Sequence, residues 1–202
     1  HCPKTSIWVA GGWVRDKLLF SQQRGEQNQQ NQAGSSPISS RGQTTSFPGG
    51  GNKDVDLVIT SQEISATEFA GLLQEYISSN GKDGIGGVGC NAVLKAANPE
   101  LQTATILLKD SDFIVDIAGL RLEEYSKYSR TPESTSIASI VEDAWRRDLT
   151  INALYYNLQT NEVEDWTEQG LSDMRRRRIA TSRAPLPALV EDPLRFLRAV
   201  RF

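Results

Sequence analysis

The stretch Lys53-Asp-Val-Asp-Leu-Val-Ile59 decides the fold of this chain. Charged residues alternate with apolar ones at its start, and this period of two is typical of a β-strand that presents Asp54 and Asp56 on one face. Carboxylates are hard oxygen ligands that suit magnesium, and in a two-metal site they would brace the attacking and leaving oxygens of a phosphoryl displacement. Because Asp-x-Asp also occurs by chance on surface strands, the interpretation depends on the motifs around it.

A second motif, Ile7-Trp-Val-Ala-Gly-Gly-Trp-Val-Arg-Asp-Lys-Leu-Leu19, predicts a strand, a glycine turn and a helix. The turn at Gly11 and Gly12 would place free backbone N–H groups at a helix N-terminus, which suits a phosphate. Arg15 and Asp16 would lie in the first helical turn. The alternative is a tight turn that needs glycine for its dihedral angles and binds nothing.

Further acidic and basic residues lie downstream. Asp116, in the apolar run 113–118, either faces solvent at a sheet edge or joins the Asp54 and Asp56 pair as a third carboxylate, because burying it unpaired would be too costly. Arg146 and Arg147 precede Asp148 at a predicted helix start or turn, with Thr150 and Asn152 close behind. Guanidinium groups match triphosphate oxygens and a carboxylate can accept from ribose hydroxyls, whereas the alternative is an ordinary surface ion-pair cluster.

The last motif is Leu189-Val-Glu-Asp-Pro-Leu-Arg-Phe-Leu-Arg-Ala-Val-Arg-Phe202. Pro193 after Asp192 fits a helix with Asp192 as N-cap and proline at its first position. Asp192 and Arg195 are also three residues apart, so an earlier helix start would place both on one face. Together they would offer an acceptor beside a donor, which matches the pairing edges of cytosine and adenine but opposes those of guanine and uracil.

Along the chain the glycine motif, the Asp-x-Asp strand, the Arg146-Arg147-Asp148 motif and the last motif follow one another in the order seen in class II CCA-adding enzymes (tRNA nucleotidyltransferases) and their poly(A) polymerase relatives, which the sequence resembles. Leu120–Arg130 resembles the eukaryotic branch. The resemblance implies an α/β (α+β) fold: a polymerase-beta-like nucleotidyltransferase head with a mixed sheet and flanking helices, followed by the start of an all-helical neck. It implies template-independent addition of CMP and AMP to the 3′ end of tRNA from CTP and ATP, with release of pyrophosphate. The alternatives are a poly(A) polymerase, a partial CC- or A-adding enzyme, or an inactive nucleotide-binding fragment.

The resemblance also implies roles for individual residues. Asp54 and Asp56 would hold Mg²⁺, in a two-metal site, and be catalytic together with Asp116. Asp165 and Gly170 would form the short motif that joins head to neck, where relative motion accompanies the switch from C to A addition. Nucleotide binding would fall to Gly11, Gly12, Arg15, Asp16, Arg146, Arg147, Asp148, Asn152, Asp192, Arg195 and Arg198, with Asp192 and Arg195 as the amino-acid template.

The expected domains are a head at residues 1–170 and a truncated neck at residues 171–202, which stops inside its first helix, before the body and tail. Between Leu19 and Lys53 the chain is rich in Gln, Asn, Ser and Gly and cannot bury enough apolar surface, which predicts a disordered insertion at about 21–52. A second irregular stretch is expected at Thr131–Ser139.

Secondary structure follows from the same patterns. Strands are expected at 7–10, 54–59, 88–95, 103–108, 113–118, 152–158 and 162–164. Helices are expected at 13–19, near 65–78 with a capping box at Ser65 and Glu68, at 143–150, and from about 171 and 190.

Composition sets bounds on function. With 38% hydrophobic residues among 202, the chain can bury one α/β domain and the start of a helical one. A net charge of −3 excludes a generally basic coat, although residues 171–202 carry eight arginines against three acidic residues. Cys2 and Cys90 are too few for a disulfide framework, and no stretch has membrane-spanning length, so an intracellular protein is expected. Because the chain starts at His1, a targeting peptide could precede it, and cytoplasm, nucleus and mitochondrion all stay open, as does the oligomeric state.

Overall fold

The computed structural model describes residues 5–21, 54–61, 63–80, 91–109, 113–125, 132–137 and 139–202, with the backbone alone at 121–125 and 132–137. The insertion predicted at 21–52 therefore lies, apart from its first residue, outside the described residues.

The strands, in chain order, are β1 (Thr5–Ala10), β2 (Asp54–Ser61), β3 (Ala92–Asn98), β4 (Thr103–Leu108), β5 (Phe113–Gly119), β6 (Arg121–Tyr125), β7 (Pro132–Ile137), β8 (Leu154–Asn157) and β9 (Glu162–Asp165). Seven of them form one sheet in the order β3-β4-β5-β2-β1-β8-β9, and β6 and β7 form a separate hairpin. Within the large sheet β2 and β5 are parallel and the other neighbours are antiparallel, so the sheet is mixed as expected.

The helices are α1 (12–21), α2 (Ala66–Asn80), α3 (Ile140–Arg146), α4 (Gly170–Arg175), α5 (Pro185–Glu191) and α6 (Leu194–Arg201). A single 3-10 turn, Thr150–Asn152, follows α3. The capping box predicted for α2 is confirmed, because Ser65 Oγ accepts from Glu68 N at 3.1 Å and Glu68 Oε2 accepts from Ser65 N at 2.8 Å. No helix in the described part of the chain is long and apolar enough to cross a membrane.

Several predicted boundaries are wrong, and each error has a local cause. The helix predicted at 143–150 is α3, which begins and ends earlier because a second capping box, Ser139 with Glu142, fixes its start. Arg147 is already extended at ψ 159°, and the following Leu149 forms a β-bridge with Thr181, so no helix continues through 150.

The remaining differences are smaller. The strand predicted at 152–158 begins only at Leu154, because the 3-10 turn precedes it. The strand predicted at 88–95 is β3, which runs to Asn98, and residues 88–90 lie outside the described residues. The irregular stretch predicted at Thr131–Ser139 contains the strand β7. The helix predicted from about 190 is two helices, α5 and α6, separated at Asp192.

Both faces of the central strands are buried, which explains their apolar sequences. On one face Val9 packs with residues of α1, α4 and the 3-10 turn, and Ile59 packs with α2. On the other face Trp8, Ala10 and Val58 pack against Ala144 of α3. Asp54 and Asp56 have the same parity along β2 as Val58, so their side chains project on the α3 face. This face carries the site described next.

Candidate active site

One row of side chains crosses five neighbouring strands. In the pairing register Tyr155 lies opposite Ala10, Ala10 opposite Asp56, Asp56 opposite Asp116, and Asp116 opposite Thr105. Residues directly opposed in a sheet project to the same face, so the carboxylates of Asp56 and Asp116 are neighbours. Thr105 Oγ1 donates a 2.6 Å hydrogen bond to Asp116 Oδ1. Because β5 lies between β4 and β2, Asp116 joins the acidic pair and does not lie at a sheet edge.

The electrostatics of Asp56 reflect this crowding. Partial burial raises the pKa of its carboxyl above the ordinary value, the Arg147 guanidinium opposes that rise, and the Asp116 and Asp54 carboxylates add to it. Asp56 is nonetheless exposed by its accessible surface, so its carboxylate stays open to solvent or a ligand. Asp54 lies two residues earlier on the same face, is exposed at the start of β2, and does not line the cleft described below.

The turn after β1 requires glycine at one of its two positions. Gly11 has φ +71°, and a Cβ there would lie 3.3 Å from Asp56 Oδ2 and 3.2 Å from Arg147 Nη1. Any larger residue would therefore press on two charged side chains as well as strain the backbone. Gly12 begins α1. Neither glycine lines the cleft, so the structure supports the conformational reason for Gly11, and phosphate binding here stays a prediction.

The Arg146-Arg147-Asp148 motif follows the C-terminal end of α3, where a buried carboxylate organises it. Asp143, 1% exposed, accepts from Arg146 Nε at 2.8 Å and from Arg147 Nε and Nη2 at 3.2 Å. Burial alone would raise the pKa of Asp143, but the two guanidinium groups and the Tyr155 hydroxyl outweigh it, and the pKa lies below its ordinary value. Neither Asp143 nor Tyr155 is among the residues predicted from the sequence, although Asp143 stands three and four residues before the arginines, a spacing that predicts the contact.

Asp148 connects the 3-10 turn to α6. Its Oδ1 accepts from Leu149 N at 2.8 Å and from Asn152 Nδ2 at 3.2 Å, and its Oδ2 lies 3.3 Å from Arg198 Nη1. The predicted neighbours Asp148, Asn152 and Arg198 are therefore brought together.

The structure places Arg15 inside the protein, away from the cleft. Arg15 is 7% exposed, donates to Asn152 Oδ1 at 2.6 Å and pairs with Asp16 Oδ1 at 2.6 Å. Its guanidinium also lies 4.0 Å from the centre of the Phe202 ring. These contacts connect α1 to the 3-10 turn and to the end of α6. Nucleotide binding by Arg15, Asp16 and Asn152 stays a prediction.

Asp192 and Arg195 face each other at the junction of α5 and α6. Asp192 is the C-cap of α5 and Pro193 is the N-cap of α6, so the prediction of Asp192 as N-cap with proline at the first helical position is wrong. Asp192 Oδ1 still accepts from Leu194 N at 3.0 Å, and Asp192 Oδ2 lies 3.9 Å from Arg195 Nε. Arg195 is 7% exposed and donates from Nη2 to Arg146 O at 3.2 Å. Its Nε and Nη1 are buried and make no hydrogen bond to any described residue.

Most of these side chains line one cleft of about 470 Å³. Its floor is the row Asp56, Asp116 and Thr105, and its wall is formed by the ends of α3 and α6. The predicted residues that line it are Asp56, Asp116, Arg146, Arg147, Asp148, Asp192, Arg195 and Arg198. An acidic floor that faces four arginines and two aspartates in or next to α3 and α6 can hold a cation and an oxyanion side by side.

The donor set fits a magnesium ion that shares its ligands with a phosphate. Among the described residues no group of three or more His, Cys, Asp or Glu is arranged to hold a metal alone. Magnesium, however, commonly takes one or two carboxylates and completes its shell with water and substrate phosphate oxygens. The adjacent Asp56 and Asp116, with Asp54 on the same face, supply such carboxylates, and a cation would relieve the repulsion that raises the pKa of Asp56.

The fold and the acidic row define the chain as a nucleotidyltransferase-type head domain. It belongs to the family described as the poly A polymerase head domain, whose model matches residues 7–180.

Similar proteins include several tRNA nucleotidyltransferases. The chain is 33% identical over 200 residues to tRNA nucleotidyltransferase cca2 of Schizosaccharomyces pombe, which covers 97% of this chain and 34% of that protein. It is 37% identical over 207 residues to the mitochondrial CCA tRNA nucleotidyltransferase of Candida glabrata, which covers 98% of this chain and 31% of that protein. A solved tRNA-processing enzyme with CTP is 26% identical, with a TM-score of 0.60 over 98% of this chain and 37% of that one. The chain thus spans about a third of the length of these relatives.

Proposed function

We propose that this chain carries the nucleotidyl-transfer site of an enzyme that adds CMP and AMP to the 3′ end of tRNA, using CTP and ATP and releasing pyrophosphate. The observation that carries the proposal is the cleft, in which the acidic row of β2 and β5 faces Arg147, Asp192 and Arg195. The names of the relatives from Schizosaccharomyces pombe and Candida glabrata support tRNA as the substrate class, and the CTP-bound relative supports the nucleotide. We also propose an intracellular location.

In the reaction the RNA 3′-hydroxyl attacks the α-phosphorus of the nucleotide, and pyrophosphate leaves. Asp54 and Asp56, with Asp116 beside Asp56, would hold Mg²⁺, which lowers the cost of the charge that develops on the phosphoryl oxygens. Arg146 and Arg147 would contact the triphosphate with their guanidinium groups, and Asp148 would accept from the ribose hydroxyls. Each of these side chains except Asp54 lines the cleft.

Selection of the base would fall to Asp192 and Arg195. Cytosine and adenine each present an amine donor next to a ring-nitrogen acceptor, so a carboxylate beside a guanidinium can pair with both. The buried Nε and Nη1 of Arg195 make no hydrogen bond to any described residue, which supports this, because a buried donor without a hydrogen bond is costly and a base would supply the acceptor.

The test is to sequence the products that the protein forms on a tRNA lacking its 3′ CCA, with magnesium and all four nucleoside triphosphates. A tRNA that already ends in CCA serves as the control substrate. We expect C, C and A to be added in that order, and nothing to be added to the control. A run of A on either RNA would identify a poly(A) polymerase instead. If the protein binds CTP but adds no nucleotide to either RNA, it is a nucleotide-binding module without transferase activity.

A further inference from the structure

We propose that Asp143 and Tyr155 are positioning residues that clamp the Arg147 guanidinium so that its Nη1 points into the cleft toward the nucleotide triphosphate. The inference rests on the proposed function, because it names how one group of that site is held. Both residues are buried, at 1% and 0% exposure.

Asp143 and Tyr155 bind the guanidinium of Arg147 along its Nε–Nη2 side. Arg147 Nε donates to Asp143 Oδ2 at 3.2 Å and to the Tyr155 hydroxyl oxygen at 2.8 Å, and Arg147 Nη2 donates to Asp143 Oδ2 at 3.2 Å. The Tyr155 hydroxyl in turn donates to Asp143 Oδ2 at 2.6 Å. All three groups are thus mutually bonded, and the guanidinium of Arg147 uses Nε and Nη2 for its hydrogen bonds to the described residues.

The free side of the guanidinium faces the acidic floor. Arg147 Nη1 and Asp56 Oδ2 lie 3.2 and 3.3 Å from one point, the place that a Cβ on Gly11 would occupy. Tyr155, Ala10 and Asp56 are successive members of the same row. The small residues Ala10 and Gly11 therefore leave the space through which Arg147 reaches from its buried clamp to the cleft.

Charge states favour a persistent clamp. Burial raises the pKa of Tyr155, the guanidinium of Arg147 opposes that rise, and Asp143 adds to it, so the phenol stays protonated and can donate. Asp143 stays ionised at neutral pH because the pKa of its carboxyl lies below the ordinary value. The Tyr155 ring also lies 4.9 Å from the guanidinium carbon of Arg147. A side chain with several rotatable bonds is thereby held in one orientation before any ligand arrives.

The test compares two tyrosines that are adjacent in β8. Tyr155→Phe keeps the ring and removes both hydroxyl hydrogen bonds. Tyr156→Phe is the matched control, because among the described residues its hydroxyl bonds to Asn161 Oδ1 alone, at 3.2 Å and exposed. The measurements are the Kd for CTP by titration, KM and kcat for CMP addition, and the melting temperature of each variant. We expect Tyr155→Phe to raise both Kd and KM about tenfold, whereas Tyr156→Phe changes them by less than about twofold.

A double-mutant cycle separates positioning from a merely structural role. Arg147→Lys keeps a cation beside Asp143 but has no second nitrogen to present to the cleft. If Tyr155 acts through Arg147, then Tyr155→Phe adds no further loss of CTP affinity in the Arg147→Lys background. Fully additive losses, or an unchanged Kd in Tyr155→Phe at a normal melting temperature, would overturn the inference. A wild-type protein that neither binds CTP nor adds CMP would instead refute the proposed function.

Discussion

The substitution Gly170→Ala tests the packing that connects the sheet to the helices after it. A Cβ at Gly170 would lie 2.5 Å from the Thr150 backbone oxygen and 2.9 Å from Leu154 Cδ2, well inside contact distance. The carbonyl cannot move aside freely, because it accepts from Ala153 N at 3.1 Å and closes the 3-10 turn. Thr150 is held further by its N–H to Ala180 O at 2.9 Å and by its hydroxyl to the buried Asp173 at 2.7 Å.

The change in the free energy of unfolding of Gly170→Ala is the difference between an overpacking cost and a gain from the less flexible unfolded chain. Overpacking of this kind costs about 1–3 kcal/mol, and replacing glycine by alanine returns roughly 0.4–1 kcal/mol through the unfolded chain. The midpoints of these ranges leave a net destabilisation of about 1.3 kcal/mol, or a fall in Tm of roughly 3–5 °C for a chain of this size. Because Asn152 in the same turn bonds to both Arg15 and Asp148, the strain should also lower nucleotide affinity.

The matched control is Gly71→Ala in the middle of α2, where nothing lies within 4 Å of the added Cβ. This variant should be stabilised by about 0.5–1 kcal/mol. The assay is thermal unfolding of the three proteins followed by circular dichroism. Equal or higher stability of Gly170→Ala relative to wild type, or an equal loss in both variants, would refute the packing described for Gly170.

Three further predictions concern the cap, the acidic row and the template. Ser65→Ala should cost about 1 kcal/mol and lower Tm by roughly 2–4 °C, and an unchanged Tm would contradict the capping box. Folding raises the pKa of Asp56 above the ordinary value of 3.8, so wild type loses stability as pH rises from that value through the raised pKa. In metal-free buffer the Tm of Asp56→Asn relative to wild type should therefore increase with pH over this interval and then level off, and a pH-independent difference would contradict this. Arg195→Ala should relax selection for CTP and ATP over GTP and UTP in incorporation assays, and unchanged selection in both Arg195→Ala and Asp192→Ala at matched folded fraction would exclude the template.

The sequence alone predicts the elements whose signals are local. Alternation places β1, β2, β4 and β5 within two residues of their observed bounds, and the capping box finds the start of α2. The start of α3 is also encoded locally, in the Ser139 and Glu142 capping box, so the predicted start at 143 is an error that the sequence itself could correct.

The features that the sequence could not predict depend on contacts between residues that are distant along the chain. Whether Asp116 lies at an edge or in the acidic pair depends on the order of the strands, which no local pattern contains. The position of Arg15 depends on Asn152 and on Phe202, which are distant in sequence, so a glycine-turn motif could not place it. The clamp on Arg147 likewise needs Tyr155 from a later strand.

Whether the β2 carboxylates carry the chemistry is decided by single-turnover CMP addition to tRNA lacking its 3′ end, in magnesium, by wild type, Asp54→Ala and Asp56→Ala. Glu63→Ala, an exposed carboxylate just beyond the same strand, is the control. The account predicts a loss on the order of a thousandfold in both aspartate variants, with melting temperatures close to wild type and with Glu63→Ala fully active. Near-normal turnover in either aspartate variant would contradict it.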